Sequence, residues 1–291
     1  MERILVAIIF TCFNRKKQTL ECLNHLYNQQ NPSQYKLDFF ICDDASTDGT
    51  SKAIREQYPD VHLIESEGNL FWCKGMWRAM SKATETYHDY YLMVNDDVEF
   101  FDDIIDMLVQ THKSVNCSCG VVGSTISRVD GQVTYGGRKK VQYNLFGKGV
   151  GLRSNILITE FARQDDELVQ CDLTNWNCFL IDRTVVEKIG IIDSKYEHGL
   201  GDFDYSFRMG KSNIPIYIAP KPVGYCERNS TLNTWADNQL PARERIKKLF
   251  GPKGYPYRSA YRFGIRTNGP MGILLVSNSY IKKIIRILMK K

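Results

Sequence analysis

The sequence predicts an α/β protein in which a mostly parallel central sheet carries helices on both faces. Short apolar runs rich in Ile, Val and Phe alternate with segments whose apolar residues recur at helical spacing. Such runs are typical of strands buried on both faces, and the periodic segments are typical of the helices that cover them. The chain has 291 residues, 43% of them hydrophobic, which suffices for one large domain or for one domain with an extension.

The predicted elements alternate along most of the chain. Strands are predicted at 4–10, 38–42, 61–64, 90–94, 120–124, 177–181 and 214–219. Helices are predicted after a cap at Asn14, at 50–58, at 76–83, at 101–109, from a cap at Asp182 to Gly190, and at 201–209. Asp130-Gly131 predicts a hairpin turn, and the glycine-rich basic segment 136–151 predicts a loop.

The charge is divided unevenly along the chain. From Pro241 onward there are 13 Lys and Arg residues and one acidic residue, Glu244, whereas the preceding part is mildly acidic. We therefore expect a body at 1–240, with halves at 1–125 and 126–240, and a basic extension at 241–291. An anionic partner fits the extension: a membrane surface, nucleic acid or an anionic acceptor. Nucleic acid is not expected, because the sequence shows no recognisable nucleic-acid-binding motif.

The end of the extension predicts an amphipathic helix. Its apolar side has Ile281, Ile284, Ile285 and Leu288, and its basic side has Lys282, Lys283, Arg286 and Lys290. Such a helix would lie in the interface of an anionic membrane. The alternative is that the apolar stripe packs on the body and leaves the lysines in solvent.

The nine cysteines do not suggest a disulfide framework, because several of them lie in apolar or periodic runs. The first residues lack the pattern of an export signal, and no apolar run reaches the roughly 18 residues of a spanning helix. We therefore expect a cytoplasmic protein with reduced thiols, associated at most peripherally with the inner face of the membrane.

Two carboxylate clusters follow predicted strands, where parallel sheets bind their ligands. Asn95-Asp96-Asp97 comes after a buried strand, and paired carboxylates suit a hard divalent cation that bridges diphosphate oxygens. The alternative is that one of these aspartates caps the following helix. The second cluster is Asp43-Asp44-Ala-Ser-Thr-Asp-Gly-Thr. Asp43 can accept a hydrogen bond from an N–H of a pyrimidine base, although an ordinary acidic turn explains the same pattern.

Four ordered motifs carry a resemblance that covers about residues 3 to 228. They are Ile-Ile-Phe-Thr-Cys-Phe-Asn-Arg (8–15), Asp-Asp-Ala-Ser-Thr-Asp-Gly-Thr (43–50), Gly-Asn-Leu…Gly (68–75) and Asn-Asp-Asp (95–97). In order and spacing the chain resembles family 2 glycosyltransferases, in particular the bacterial rhamnosyltransferase-like members that build surface polysaccharides. The resemblance implies the GT-A fold, a nucleotide-sugar donor, Mg or Mn, and inversion at the anomeric carbon.

On the donor side the resemblance implies the following roles. Thr11 and Asp43 would hold the base, Asp97 would ligate the metal, and Asp96 would reach the ribose or the metal. Gly75, with Lys74 beside it, would line the donor pocket. A solvated surface lysine is the alternative for Lys74.

The segment Gly201-Asp202-Phe-Asp204 resembles the place where the family has Glu-Asp-x-Asp. The resemblance implies that Asp202 is the general base, with Asp204 as the competing assignment, because Gly201 replaces the usual Glu. The alternative is structural: Asp202 caps the helix and Asp204 pairs with Arg208 four residues on.

The acceptor side and the metal site are less complete. Trp176 and Asn177 fall where the resemblance puts the acceptor, and Trp176 suits either a sugar face or the core. The third protein ligand of the metal, usually a His, is replaced by Cys226 or Glu227. A thiolate is a poor match for Mg or Mn.

The resulting expectation is an inverting enzyme that moves a sugar from a dTDP- or UDP-sugar to a hydroxyl of a glycan or lipid-linked acceptor. The main alternative is a non-catalytic nucleotide- or glycan-binding module of the same fold, suggested by Gly201 and the missing His. A nucleotidyltransferase is disfavoured, because residues 11–16 lack the Gly-rich basic loop of that class.

Overall fold

The computed structural model describes residues 3–140, 155–161 and 167–289. Within these residues the largest sheet has eight strands, in the spatial order β11-β14-β6-β13-β4-β1-β2-β3. These strands are β1 (Ile4–Cys12), β2 (Tyr35–Asp43), β3 (His62–Glu65), β4 (Tyr90–Val94), β6 (Gly120–Val122), β11 (Gln170–Cys171), β13 (Cys178–Asp182) and β14 (Ile216–Ile218). The predicted α/β class is confirmed.

The sheet is mostly parallel, and one of its inner strands is reversed. β1 pairs in parallel with both β2 and β4, and β2 pairs in parallel with β3. β13 lies antiparallel between β4 and β6, with Cys178 opposite Val94. Because of this reversal, the residues that precede β13 meet the residues that follow β4. The backbone N–H of Asn95 accordingly donates to the carbonyl of Asn177 at 3.3 Å.

Helices pack on this sheet and bury a continuous apolar core. In the body they are α1 (Lys16–Tyr27), α2 (Thr50–Gln57), α3 (Phe71–Ala83), α4 (Ile104–Ser114), α5 (Arg183–Ile189) and α6 (Gly201–Lys211). β1, β4 and α3 supply fully buried side chains such as Ile8, Leu92 and Met76. The apolar runs of β1 and β4 and the helical spacing of apolar residues in α3 predicted these elements. Burial of each such side chain stabilises the fold by about 1.5–3 kcal/mol.

The predicted cap at Asn14 is wrong. Asn14 has a φ of 50° and lies outside α1, which is preceded by Arg15. Its side-chain oxygen instead accepts from the N–H of Thr47 at 2.7 Å. The first N–H of α1, from Lys16, donates to Asp48 at 2.9 Å, so a residue of the second motif caps the helix. The predicted cap at Asp182 is confirmed, because its side chain accepts from the N–H of Thr184.

The body also contains short strands. β7 (Thr125–Ile126) and β8 (Val133–Tyr135) flank the predicted hairpin turn. The sequence did not predict β5 (Glu99–Phe100), β9 (Gly137–Lys140), β10 (Asn155–Leu157), β12 (Leu173–Thr174) and β15 (Gly224–Tyr225). The predicted hairpin turn is confirmed, with Gly131 at a φ of 69° between β7 and β8. The predicted loop at 136–151 is wrong for 137–140, which form β9, and the part from 141 onward lies outside the described residues.

The extension forms three helices with a small core of their own. They are α7 (Ala242–Phe250), α8 (Tyr257–Asn268) and α9 (Met271–Met289). Leu249, Ala260, Val276 and Ile287 are buried between them. None of the helices in the described parts of the chain is long and apolar enough to cross a membrane.

The apolar side predicted for α9 is divided in the structure. Ile284 packs against the small core, whereas Ile281, Ile285 and Leu288 are 56%, 47% and 58% exposed. The buried face of α9 is therefore a different one, formed by residues such as Val276 and Ile287.

Candidate active site

A cleft of about 660 Å³ opens where β1, β2 and β4 end and where β13 begins. Asp96, Asp97 and Asp202 all line it, although they lie far apart in the sequence. Thr11, Trp176 and Asn177, which were also predicted as site residues, line the same cleft. Asp43, Lys74, Gly75 and Asp204 are not among the lining residues.

Asp96 and Asp97 share one arginine. Nη1 of Arg15 donates to Oδ1 of Asp96 at 3.1 Å and to Oδ2 of Asp97 at 2.8 Å. Asp96 is 5% exposed and also accepts from the hydroxyl of Thr19 at 3.1 Å. Burial raises the pKa of Asp96 to about 6, and the charge of Arg15 opposes that rise. Arg15 stands in the motif 8–15, but no role was predicted for its side chain.

Cys226 and Glu227, the two candidates for the third metal ligand, differ in their contacts. Sγ of Cys226 is 3.8 Å from Oδ1 of Asp97, and burial together with Asp97 raises the pKa of this thiol to about 12. Cys226 is therefore a protonated donor to Asp97. Glu227 is directed away, because its carboxylate accepts from the N–H of Arg128 at 2.7 Å.

Asp96 and Asp97 could hold a divalent cation that has only these two protein ligands. Among the described residues, no group of three or more His, Cys, Asp or Glu side chains is arranged to hold a metal. Mg²⁺ commonly uses one or two carboxylates, with substrate phosphates and water completing its shell. Asp96 and Asp97 supply such a pair, and Arg15 is the cation that now neutralises it.

The two aspartates of the second motif have different surroundings. Asp43 is 1% exposed at the end of β2, where it accepts from the N–H of Ser46 at 3.0 Å and from the hydroxyl of Ser51. Asp44 lines the cleft and accepts from the N–H groups of Leu70 and Phe71 at 3.0 and 2.9 Å. Asp44 thereby holds the loop that leads into α3.

Gly75 acts through packing. A Cβ at this position would lie 2.3 Å from Oγ1 of Thr11, so only glycine allows α3 to approach β1 this closely. Thr11 lines the cleft, and its hydroxyl donates to the carbonyl of Cys42 at 2.8 Å. Lys74 is half-buried on α3.

Asp202 lies in the first turn of α6 and faces the cleft. The N–H of Phe203 donates to its Oδ1 at 2.9 Å, and the side chain of Asn175 also hydrogen-bonds to it. Burial raises the pKa of Asp202 to about 6, and these hydrogen bonds, with the more distant charge of Arg138, limit the rise. Asp202 is thus an ionised carboxylate at neutral pH with a pKa suited to proton transfer.

Gly201, which stands where the family usually has Glu, lies in a space that leaves no room for a side chain. A Cβ at Gly201 would lie 2.7 Å from Sγ of Cys73 and 3.0 Å from Cδ1 of Ile192. In this chain those two side chains fill the space beside the residue before Asp202.

Asp204 is a structural residue. It is fully buried and accepts from the hydroxyl of Tyr196 at 2.7 Å, from Arg208 at 3.2 Å and from Arg266 at 2.8 and 2.6 Å. The predicted pair of Asp204 with Arg208 is therefore present. Of the two aspartates in the first turn of α6, Asp202 lines the cleft and Asp204 does not.

Trp176 is 1% exposed and lies among aromatic rings, with Tyr205 at 5.1 Å and Phe179 at 5.9 Å between centroids. These contacts match the core alternative, with the indole forming part of the cleft wall. Asn177 is 5% exposed, and its amide donates to Sγ of Cys226 at 3.6 Å.

Some lining residues that the sequence did not predict come from distant segments. His198 precedes α6, and Lys253 belongs to the extension. Burial, with the charges of Lys253 and Arg15, lowers the pKa of His198 to about 4, so this ring is neutral. Ser259 of α8 accepts from the N–H of Glu197 at 3.2 Å and ties the extension to the segment before Asp202.

Comparison with solved structures shows which fold positions this cleft. A mannosyltransferase from Pyrobaculum calidifontis, solved in complex with GDP-Man and Mn²⁺, matches with a TM-score of 0.56 at 16% identity, over 95% of this chain and 73% of that chain. Residues 1–349 of TarS from S. aureus, in complex with UDP, match with a TM-score of 0.52 at 13% identity, over 90% of this chain and 70% of that chain. The fold is that of the GT-A glycosyltransferases, as predicted.

Comparison of sequences gives relatives of low identity. The chain is 25% identical over 207 residues to the N-acetylglucosaminyl-diphospho-decaprenol L-rhamnosyltransferase of Mycobacterium tuberculosis, covering 66% of this chain and 67% of the relative. It is 23% identical over 182 residues to a low-salt glycan biosynthesis hexosyltransferase of Haloferax volcanii, covering 62% of this chain and 55% of that relative. The family model of glycosyl transferase family 2 matches residues 7–190. This chain, with its paired carboxylates after β4 and its cleft at the strand ends, belongs to glycosyl transferase family 2.

Proposed function

We propose that the chain is an inverting, metal-dependent glycosyltransferase. It would move a hexosyl or deoxyhexosyl group from a dTDP- or UDP-sugar to a hydroxyl of a glycan or lipid-linked acceptor in surface polysaccharide synthesis. The observation that supports this proposal is the convergence of Asp96 and Asp97 with Asp202 on one cleft. A cation-binding pair and a separate, half-buried carboxylate are the two charged features that a metal-dependent inverting displacement needs.

On the donor side, Asp96 and Asp97 would hold a Mg or Mn ion, which neutralises charge on the leaving nucleoside diphosphate. Arg15 forms ion pairs with both carboxylates. If a metal ion binds Asp96 and Asp97, the guanidinium of Arg15 would be available to bind the diphosphate. Thr11 and Asp44 line the nucleotide side of the cleft, and Asp43 stabilises the turn beside them. We propose the body half 1–125 as the donor half.

On the acceptor side, Asp202 would accept the proton of the attacking hydroxyl. The acceptor oxygen forms its bond to the anomeric carbon while the bond from that carbon to the diphosphate oxygen breaks on the opposite face, so the configuration inverts. The N–H of Phe203 and the amide of Asn175 hold the carboxylate in place. We propose the half 126–240 as the acceptor half, with Asn177 and the neutral His198 beside the incoming sugar.

The relatives support a lipid-linked or glycan acceptor. The Mycobacterium tuberculosis relative carries in its name a sugar joined through a diphosphate to a polyprenol, and the Haloferax volcanii relative acts in glycan biosynthesis. We therefore propose that the reaction takes place at the cytoplasmic face of a membrane.

We also propose that α9 contacts that membrane. Leu274, Ile281, Ile285 and Leu288 are 63%, 56%, 47% and 58% exposed, and the exposed Lys282 and Arg286 lie beside them. Apolar side chains next to basic ones fit an anionic lipid interface, each basic residue contributing about 1 kcal/mol. The same basic residues would repel each other across a pair of identical helices, which disfavours a second copy as the occupant.

Membrane contact is tested by co-sedimentation with vesicles of anionic and of zwitterionic lipid. The double variant Ile281→Glu, Ile285→Glu should lose binding to anionic vesicles. Val129→Glu, at an 89% exposed site on a distant hairpin, should bind as the unmodified protein does. Equal binding by all three proteins would exclude α9 as the contact.

The activity is tested with a panel of nucleotide sugars. The matching donor should raise the melting temperature in the presence of Mg²⁺ or Mn²⁺, because a ligand that binds only the folded state stabilises it. Transfer is then measured with that donor and a lipid-linked acceptor. Binding of a donor without transfer or hydrolysis under any acceptor would favour the non-catalytic alternative instead.

A further inference from the structure

Lys253 is a cleft residue that the sequence gives no reason to place there. It lies in the loop between α7 and α8, within the extension, and it lines the cleft together with Asp202 and His198. The family match ends at residue 190, well before this loop. The extension therefore supplies a cation to a cleft that is otherwise built by the body.

Some basic residues of the extension pair with acidic residues, and Lys253 is not one of them within the described part of the chain. Arg262 pairs with Asp193, Arg266 pairs with Asp193 and Asp204, and Lys248 pairs with Glu244. Across 3–140, 155–161 and 167–289, no ion pair involves Lys253.

The loop that presents Lys253 is held closely to α7. The N–H of Tyr255 donates to the carbonyl of Leu249 at 2.7 Å, and the N–H of Gly254 donates to that of Gly251 at 2.9 Å. A Cβ at Gly254 would lie 2.1 Å from the carbonyl oxygen of Lys248, so the close approach requires glycine. The backbone at Lys253 is therefore fixed beside the cleft.

The acidic side chains that line the cleft with Lys253 have other partners, Asp44 among them through the N–H groups of Leu70 and Phe71. His198 is neutral, because burial and the charges of Lys253 and Arg15 lower its pKa to about 4. Asp202 feels the charge of Arg138, and Asp96 and Asp97 are paired with Arg15. Lys253 is therefore available to bind an anionic group of the substrate.

We propose that Lys253 binds a phosphate oxygen of a diphosphate-bearing substrate. The inference rests on the proposed function, in which two diphosphates are available: that of the nucleotide donor and that which joins an acceptor sugar to a lipid. The ammonium group is a compact point charge with three donors, and it suits phosphate oxygens from either source. Lys253 would thus make the extension part of substrate recognition.

The experiment compares Lys253→Met, Lys253→Arg and the control Lys247→Met, which changes an exposed lysine of α7 outside the cleft. Calorimetric titration with inorganic diphosphate and Mg²⁺ measures binding without any need for turnover. Lys253→Met should weaken binding roughly ten- to a hundredfold, because a charged hydrogen bond is lost. Lys253→Arg should retain most of the affinity, and Lys247→Met should retain all of it.

Steady-state kinetics then identify the source of the phosphate. A raised KM for the nucleotide sugar in Lys253→Met assigns the contact to the donor. A raised KM only for acceptors that carry a diphosphate, with phosphate-free acceptor analogues unaffected, assigns it to the acceptor. Unchanged binding of inorganic diphosphate together with unchanged KM values would overturn the proposal. A lack of transfer by the unmodified protein would count against the proposed function, while the calorimetric arm would still decide the role of Lys253.

Discussion

Nη1 of Arg266 in α8 donates to both carboxylate oxygens of Asp204 in α6, at 2.8 and 2.6 Å. α6 is also the helix that carries Asp202, and Asp204 itself is fully buried. The basic extension is therefore joined to the element that positions the proposed base. Part of the positive charge that predicted an external anionic partner is matched within the chain.

Replacing Arg266 by Met should lower the free energy of unfolding by about 2–3 kcal/mol, since it leaves a buried carboxylate with fewer partners. The loss falls below that for a fully buried pair, because Arg266 is partly exposed and Arg208 still pairs with Asp204. Urea unfolding followed by circular dichroism measures the change. Arg258→Met, on the exposed side of the same helix, should change it by less than about 0.5 kcal/mol. Equal effects of the two substitutions would contradict the role given to the pair.

Replacing Asp202 by Asn should reduce transfer roughly a hundred- to ten-thousandfold, because the amide cannot take up the acceptor proton. Initial rates with saturating donor measure the loss. The variant should melt no lower than the unmodified protein at pH 7, since burial raises the pKa of Asp202 and its charge therefore opposes folding. Donor binding by calorimetry should stay within a factor of about 2. Near-normal turnover would remove Asp202 from the mechanism.

The rate of transfer should depend on pH through Asp202. Its pKa is raised to about 6, so the carboxylate is ionised above that pH and protonated below it. The acid limb of kcat should therefore fall about tenfold per pH unit below about pH 6. Asp96 has a pKa raised to a similar value, so donor affinity is measured over the same range to separate binding from proton transfer. A kcat that stays constant from pH 7 to pH 4 at saturating donor would exclude a base with this pKa.

Replacing Arg15 by Gln should strengthen binding of Mn²⁺ in the absence of donor. Arg15 donates to Asp96 and Asp97, and without it their negative charge is available to a cation. Electron paramagnetic resonance of free Mn²⁺ during a titration measures this affinity. Lys17→Gln, which removes an exposed lysine in the first turn of α1, should leave the Mn²⁺ affinity unchanged. Weaker Mn²⁺ binding by the Arg15 variant would show that Arg15 supports the site and does not compete for it.

Replacing Gly75 by Ala should destabilise the protein by about 1–3 kcal/mol, because the new Cβ would meet Oγ1 of Thr11 and push α3 away from β1. Gly210→Ala is the matched control. Gly210 lies in α6 with no neighbour within 4 Å of an added Cβ, so this change should stabilise the protein by about 0.5–1 kcal/mol. Thermal melts of the two variants should therefore shift in opposite directions. A Gly75 variant that melts as the unmodified protein does would show that the contact relaxes at no cost.

The central strands were predictable because they are buried on both faces. The run 90–94 has the same bounds in prediction and structure, since every one of its side chains is buried. β2 extends to Tyr35–Asp43, beyond the predicted 38–42, because pairing with the whole length of β1 recruits polar residues such as Lys36. β9 was missed because a strand of Gly, Arg and Lys has no apolar pattern and is held by its neighbours β10 and β12.

The order of the motifs was sufficient to predict some of the residues that line the cleft. Asp96, Asp97 and Asp202 reach the cleft as expected, but adjacent aspartates at the end of β2 diverge, so that Asp43 is buried and Asp44 lines the cleft. Which of two neighbours faces a cleft depends on the exact end of the strand. Lys253 and His198 carried no local signal, because docking of the extension and the loop before α6 brings them there.

The reversal of β13 has a consequence for which loops form the two sides of the cleft. β4 runs toward the cleft and delivers Asp96, whereas β13 runs away from it and is preceded by Asn177. The two sides of the cleft therefore belong to loops that share a hydrogen-bonded edge but no stretch of backbone. In the proposed function, a change in the loop ahead of β13 would therefore alter the acceptor side of the cleft and leave the Asp96-Asp97 pair after β4 in place.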